Sequence, residues 1–317
     1  MVTRGHSTRR STRTFTFLFD HSAASSIVMS QMIVAFMDDV TLGGQLSSVA
    51  DDVATISTQG PKYGLQLNFK KCEAITLCGS ASHTMLDGFQ QLIPETATLL
   101  GAPLSTGQAM TDSLSARCAD LSRAVERLKL VSAHDALLLL KNSLSAPRLL
   151  HTLRSAYCEG HELLMNFDTI LKSALCSICN VSLTEQQWLQ ASLPVRAGGL
   201  GIRRVSSLAP SAFLASAAGT RDLQDCILRC TDRTADDIYE RCLTSKLIKF
   251  PNLPPSGSAT DKQRAWDEPV IETEYNLLLK FYSEPNHISG LLTAAAPHTR
   301  DWLHVRATHC SLWSTSG

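Results

Sequence analysis

The sequence predicts an α+β fold, a small antiparallel sheet with a helix followed by a mainly helical region. Three observations carry that expectation. Short, partly β-branched apolar runs are confined to the first hundred residues. From Thr111 the apolar period lengthens to three and four. A Pro, Ser and Gly-rich stretch, Pro251 to Thr260, then reads as a linker before one last helical pattern.

The first element is a hairpin. Ile33 to Phe36 and Val40 to Leu42 are apolar runs on either side of Met37 and the pair Asp38 and Asp39, and Gly43-Gly44 closes the unit. A helix is expected over Leu46 to Ser57, with Val49, Ala50, Val53, Ala54 and Ile56 on one side and Asp51 and Asp52 on the other, cut by Gly60-Pro61. Leu65 to Leu67 and Ala74 to Leu77 are strand candidates. Thr111, Asp112 and Ser113 are capping residues for a long helix whose apolar face is Leu114, Cys118, Leu121, Val125 and Leu128. A second helix is expected from His134 to Leu144, a third from Ser145-Ala146-Pro147, a fourth from Glu162 to Ile178, and a small-residue helix over Leu208 to Ala218. Trp188 to Ile202 reads as a proline and glycine-bearing turn region, and Trp266 to Tyr282 as a helix, with no clear element after Trp302.

Composition narrows the function classes. Across 317 residues, 29 basic side chains balance 29 acidic ones, which excludes a protein that binds nucleic acid through overall positive charge but leaves a local basic surface open. An apolar share of 44% supports a sizeable core, and no run of 18 uncharged apolar residues occurs, so no membrane partner is expected. Ten scattered cysteines are too sparse for a disulfide scaffold and point to a reducing compartment, nuclear or cytoplasmic rather than secreted. Met1 to Thr14 carries Arg4, Arg9, Arg10 and Arg13 and no acid; transit peptides share this composition, but no amphipathic helix follows, and residues 1–32 read as a disordered lead-in.

The hairpin tip is the first candidate site. Adjacent aspartates repel, and a divalent metal removes the conflict. In nucleotidyl transfer two magnesium ions serve the attacking and leaving oxygens, and such cations are held by carboxylates. The same residues also read as a solvated turn. A zinc reading exists for Cys158-x-x-His161 with Cys176-x-x-Cys179, more weakly for Cys226 and Cys230 and for His298, His304, His309 and Cys310, against the alternative that these cysteines pack as small apolar groups.

Context sharpens the first reading. Phe36-Met37-Asp38-Asp39 resembles the aromatic-x-Asp-Asp box of reverse transcriptases of the non-LTR retrotransposon and group II intron type. Gly64-Leu65-Gln66-Leu67-Asn68-Phe69-Lys70-Lys71-Cys72-Glu73 resembles the segment that follows it, and Leu99-Leu100-Gly101-Ala102-Pro103-Leu104 the strand-turn between palm and thumb. Leu138 to Ala156 and Trp188 to Ser216, with Leu193-Pro194-Val195 and Gly198-Gly199-Leu200-Gly201-Ile202, are similar to the helical region downstream of the polymerase in animal retrotransposons. The resemblance covers Ile33 to Ala218 and implies RNA-directed DNA polymerisation on an RNA template with a DNA primer. It implies Mg2+ at Asp38 and Asp39, Lys71 beside the departing pyrophosphate, and thumb cations Arg117, Arg123, Arg127 and Lys129 on the phosphate backbone. Lys71 also reads as a solvated strand end, and the basic residues as the outer face of an amphipathic helix. Between Arg117 and Arg154 seven Lys or Arg stand against three acids.

The resemblance also implies a departure. The family's further metal-binding aspartate and glycine-rich pocket segment lie well upstream of the Asp-Asp box, and Asp20, 18 residues before Asp38, leaves no room for what should intervene. The expectation is therefore a partial palm over residues 33–108, thumb-like helices over 109–160, a helical connector over 161–250 and a linker with a loosely attached C-terminal segment over 251–317, truncated at its N-terminal side and inactive alone. A non-catalytic nucleic-acid-binding module and a helical interaction protein with no metal site are the alternatives.

Overall fold

A computed structural model describes residues 2–6, 29–36, 39–64, 66–77, 84–228, 236–251, 253, 260–299 and 301–303. The α+β class holds: the chain is mostly helical with small sheets. It divides into two compact units, one of residues 1–99 and 220–235, the other of residues 100–219 and 236–317.

The first unit is built on a five-stranded sheet. Strands β1 (Val2–His6), β2 (Met32–Phe36), β3 (Asp39–Gly43), β4 (Glu73–Ile75) and β5 (Gln90–Leu92) lie in the order β2-β3-β1-β4-β5. The β2–β3 hairpin pairs Phe36 with Asp39 and Met32 with Gly43, so Asp39, expected in the tip beside Asp38, is instead the first residue of β3. Two expectations are corrected. The sheet is mixed, because β4 and β5 run parallel. Val2–His6, read as lead-in, is the central strand, paired along its length with β3 and over three residues with β4. Its sequence has no apolar alternation to announce it; a strand bonded on both sides gains ladder hydrogen bonds whatever its side chains.

Helix α1 (Leu46–Gln59) packs on this sheet, with Val49 and Val53 joining Val40, Leu42, Cys72, Ala74, Leu86 and Phe89 in one apolar cluster. Asp52, expected on the polar side, is 1% exposed. It accepts hydrogen bonds from the backbone N–H groups of Met29 and Ser30, both at 2.7 Å, and from Ser30 Oγ at 2.5 Å, which satisfies a buried carboxylate. Leu67 is outside the named strands and Leu65 outside the described residues; a 3-10 turn over Phe69–Lys71 leads into β4. Strand β6 (Thr98–Leu99) ends the unit's first segment.

The second unit opens with β7 (Ala102–Pro103), then α2 (Gln108–Leu128), α3 (Ala133–Leu139), α4 (Leu150–Ser155), α5 (Glu162–Cys179), α6 (Glu185–Ser192) and α7 (Val205–Gly219). Helix α8 (Arg221–Ile227) belongs to the first unit, and α9 (Asp237–Lys249), α10 (Gln263–Phe281) and α11 (Pro285–Ala295) complete the second. Helix α2 starts three residues earlier than expected, with Gly107 as N-cap, so Thr111, Asp112 and Ser113 are helical rather than capping. Its buried face is Met110, Leu114, Cys118, Leu121 and Leu128, the 3.6-residue stripe the sequence announced. A single apolar cluster runs from Met110 to Leu303, through Leu164, Phe167, Leu171 and Leu175 of α5 and Val205 and Leu208 of α7.

Helices α6, α9 and α11 were not anticipated. The signal for α6 is a capping box, in which Thr184 Oγ1 accepts from Gln187 N and Gln187 Oε1 accepts from Thr184 N. The turn after α6 is tightly built. A Cβ on Gly199 would lie 2.1 Å from the carbonyl oxygen of Leu193 and 2.5 Å from that of Gln190, so only glycine fits.

Within the expected loosely attached C-terminal segment, helix α10 is firmly packed. Trp266 and Leu278 are fully buried, and α10 is tied to the segment before α7 by three arginines. Arg196 pairs bidentately with Glu268 at 2.7 Å, Arg203 with Asp267 at 2.9 Å, and Arg204 with Glu274.

Candidate functional site

The acidic tip sits at one end of the five-stranded sheet. Register places Asp39 as the first paired residue of β3, opposite Phe36 on β2 and His6 on β1. Asp38 and Met37, the two residues joining Phe36 to Asp39, lie outside the described residues. A two-residue connection between paired strands fixes where the acidic dipeptide enters and leaves, which is why apolar runs flanking it were a usable signal.

Lys71 is at the same end of the sheet. Strand β4 runs antiparallel to β1 with Arg4 opposite Glu73, so the chain enters β4 from the His6 end of β1, where His6 is opposite Asp39. Lys71 is exposed and terminates the 3-10 turn that feeds β4. With β1 between β3 and β4, two strand spacings separate them, about 10 Å. A flexible four-carbon side chain covers part of such a gap, so Lys71 suits a charge partner for a polyanion near the tip rather than a direct mate of Asp39.

Among the described residues, which do not include Asp38, no donor set for a magnesium pair assembles. Hard divalent cations need several carboxylate or carbonyl oxygens. The strand beside β3 is Val-Thr-Arg-Gly-His, with no acid, and among the described residues no three His, Cys, Asp or Glu side chains converge. Asp38 and Asp39 would need a further carboxylate to hold two ions.

The expected thumb cations lie on and just after α2, and three of the four are paired within the helix. Arg117 contacts Asp120 at 3.6 Å, Arg123 contacts the same carboxylate, and Lys129 contacts Glu126 at 2.7 Å. Arg127 is exposed on the last turn. Such exposed pairs add little stability, but each acid lowers the positive potential available to a phosphate.

The zinc candidates do not assemble. Cys158 is buried, its thiol pushed up to about 12 by desolvation and then by Glu159. His161 instead caps α5, its Nδ1 accepting from Leu163 N at 3.2 Å while Nε2 lies 3.4 Å from Thr111 Oγ1. Cys176 and Cys179 end α5, and burial raises the Cys179 thiol. Cys226 is exposed on α8 and His298 pairs with Asp301 at 3.1 Å, while Cys230, His304, His309 and Cys310 lie outside the described residues.

A buried polar centre contains none of the candidate site residues that the sequence singled out. Lys246 on α9 is 4% exposed and donates to Ser211 Oγ at 2.9 Å; Ser211 Oγ in turn donates to the Trp266 carbonyl at 3.1 Å, and the Phe250 ring lies 5.1 Å from the ammonium. Burial lowers the Lys246 pKa, opposed by Asp267. The available signal was spacing, since Tyr239, Cys242 and Lys246 follow one another at three and four residues on the buried stripe of α9.

No family model matches the chain, and no curated protein matches it.

Proposed function

We propose that these 317 residues carry the acidic-hairpin part of a reverse-transcriptase palm of the non-LTR retrotransposon type, with its thumb and helical connector, and that the isolated chain extends no primer. The supporting observation is positional. Phe36 and Asp39 pair at the end of the β2–β3 hairpin, and the 3-10 turn that ends at Lys71, from the second box of the resemblance, enters β4 from the same end of the sheet.

In this reading Asp38 and Asp39 hold magnesium and Lys71 offers positive charge to the departing pyrophosphate. Magnesium, when bound, activates the attacking oxygen and neutralises the leaving one. Inactivity follows from the donor set, because a clamp short of a carboxylate forfeits several kcal/mol of transition-state stabilisation and hence orders of magnitude in rate.

The test has two arms. Primer extension on an RNA template with magnesium should give no product from the chain or from Asp38→Ala; product from the unmodified chain overturns the claim of inactivity. Fused behind the fingers and upstream palm of an active non-LTR reverse transcriptase, the chain should support extension that Asp38→Ala abolishes. A folded fusion whose activity ignores Asp38 overturns the polymerase reading.

A further inference from the structure

The sheet of the first unit is two pairs of strands joined through a third party. Strands β2 and β3 form one pair and β4 and β5 the other, and β3 and β4 share no ladder, because β1 stands between them. The two pairs are nevertheless held over one core, since Val40 and Leu42 of β3 and Ala74 of β4 meet Val49 and Val53 of α1 in a single cluster. Taking β1 away therefore leaves a preformed slot, about 10 Å wide, edged on both sides by backbone groups that need partners.

The filler is weakly specified. Val-Thr-Arg-Gly-His has one aliphatic residue, no alternation and a glycine, a residue depleted in strands. Its hold comes from main-chain pairing, from Val2 opposite Gly43 to His6 opposite Asp39 on one side and from Val2 to Arg4 opposite Ile75 to Glu73 on the other. Main-chain pairing does not distinguish the strand of one molecule from that of another.

The connection allows exchange. In sequence, 22 residues separate His6 from Met29, whose backbone N–H, with that of Ser30, is bound by the buried carboxylate of Asp52. The 22 residues between, 7–28, reach up to roughly 75 Å when extended, far more than the length of a five-residue strand.

From these relationships we propose that the slot between β3 and β4 is a strand-acceptor site and that its alternative occupant is residues 2–6 of a second copy of this chain, giving a reciprocally strand-exchanged dimer. A second copy must compete with the strand of the same molecule, which by chain length alone has an effective concentration on the order of millimolar. Exchange accordingly becomes appreciable only when the chain refolds at high concentration. This inference is independent of the polymerase reading.

The test uses the register. Arg4 is opposite Thr41, so cysteines at the two positions sit within the Cα separation a disulfide requires. Full-length Arg4→Cys and Thr41→Cys single variants, mixed, unfolded, refolded together at about 500 μM and oxidised, should yield a cross-linked dimer at least tenfold more abundant than either variant gives alone, and tenfold more than the same mixture refolded at about 5 μM. Arg4→Pro added to the first variant, which removes a ladder donor, should abolish the excess. The double variant Arg4→Cys/Thr41→Cys refolded at 5 μM should close within the monomer. If it closes there while the high-concentration mixture gives no excess dimer, the slot does not exchange; if it does not close, residues 2–6 do not occupy the slot. Either result overturns the proposal.

Discussion

The carboxylate of Asp168, in the middle of α5, receives the backbone N–H of Val205, the first residue of α7, at 2.7 Å. Ser206 adds its own N–H at 3.1 Å and its hydroxyl at 2.5 Å. One buried side chain therefore satisfies two of the orphan donors that open a helix and fixes where α7 begins against α5. Asp168→Ala should lower unfolding free energy by roughly 2–4 kcal/mol, because buried donors lose a charged acceptor. Asp168→Asn should lose less. Urea midpoints read both, and an unchanged midpoint for Asp168→Ala contradicts the role.

Lys246 gives a dependence on pH. Burial lowers its pKa below the unfolded value, with Asp267, Cys242 and Glu159 opposing that shift and Lys249 adding to it. Between the folded and unfolded values the unfolded chain binds the extra proton, so this residue's contribution to stability rises with pH through that window and is lost as pH falls through the folded value. Lys246→Met has no such proton to release. The stability difference between the two proteins should move in favour of the natural chain as pH rises toward the ordinary lysine range. A difference that does not change with pH contradicts it.

Thiol reactivity should divide cleanly. Burial pushes Cys72 to about 11 and Cys158 and Cys242 to about 12, whereas Cys179 and Cys226 are exposed. Thiolate is the reactive form. Brief alkylation of the folded chain at pH 7.5 should label Cys226 first and Cys179, whose thiol burial raises, more slowly, and leave Cys72, Cys158 and Cys242 unmodified until denaturant is added, as peptide mass mapping would show.

The proposed polymerase reading predicts that duplex binding through α2, measured against salt, has a shallow slope. Arg117, Arg123 and Lys129 are already matched by Asp120 and Glu126, so few counterions are released on contact. Arg127→Ala should weaken binding more than Arg123→Ala. Equal and large losses at all four positions would instead mean that the ion pairs break to reach phosphate.

The parts of this fold that were legible in the sequence are those where side-chain pattern and burial agree. The hairpin was written in its flanking apolar runs and its glycines, and α2 in its apolar stripe. Residues 2–6 were illegible because a central strand can be specified by its neighbours' hydrogen bonds rather than by its own side chains. Asp52 and Asp168 were misjudged or passed over for a different reason. Each falls on the apolar stripe of its helix, Asp52 between Val49 and Val53 and Asp168 between Leu164 and Leu171, and spacing alone marks both as inward. Charge argued for solvent, and the donors that offset burial, Ser30 and Ser206, lie 22 and 38 residues away. The acidic tip was legible as a position, but whether its donor set is complete depends on which strand lies beside β3, and no local pattern encodes that.

The run Gly198-Gly199-Leu200-Gly201 has the composition of a slack hinge, yet at residue 199 the backbone passes so close to the end of α6 that even a methyl group has no space. Mutational tolerance in this chain therefore does not track apparent looseness: alanine at position 199 should be rejected as firmly as a charge placed in the core, and Gly198 and Gly201, both at positive φ with an atom 3.0 Å from where a Cβ would lie, should also resist side chains.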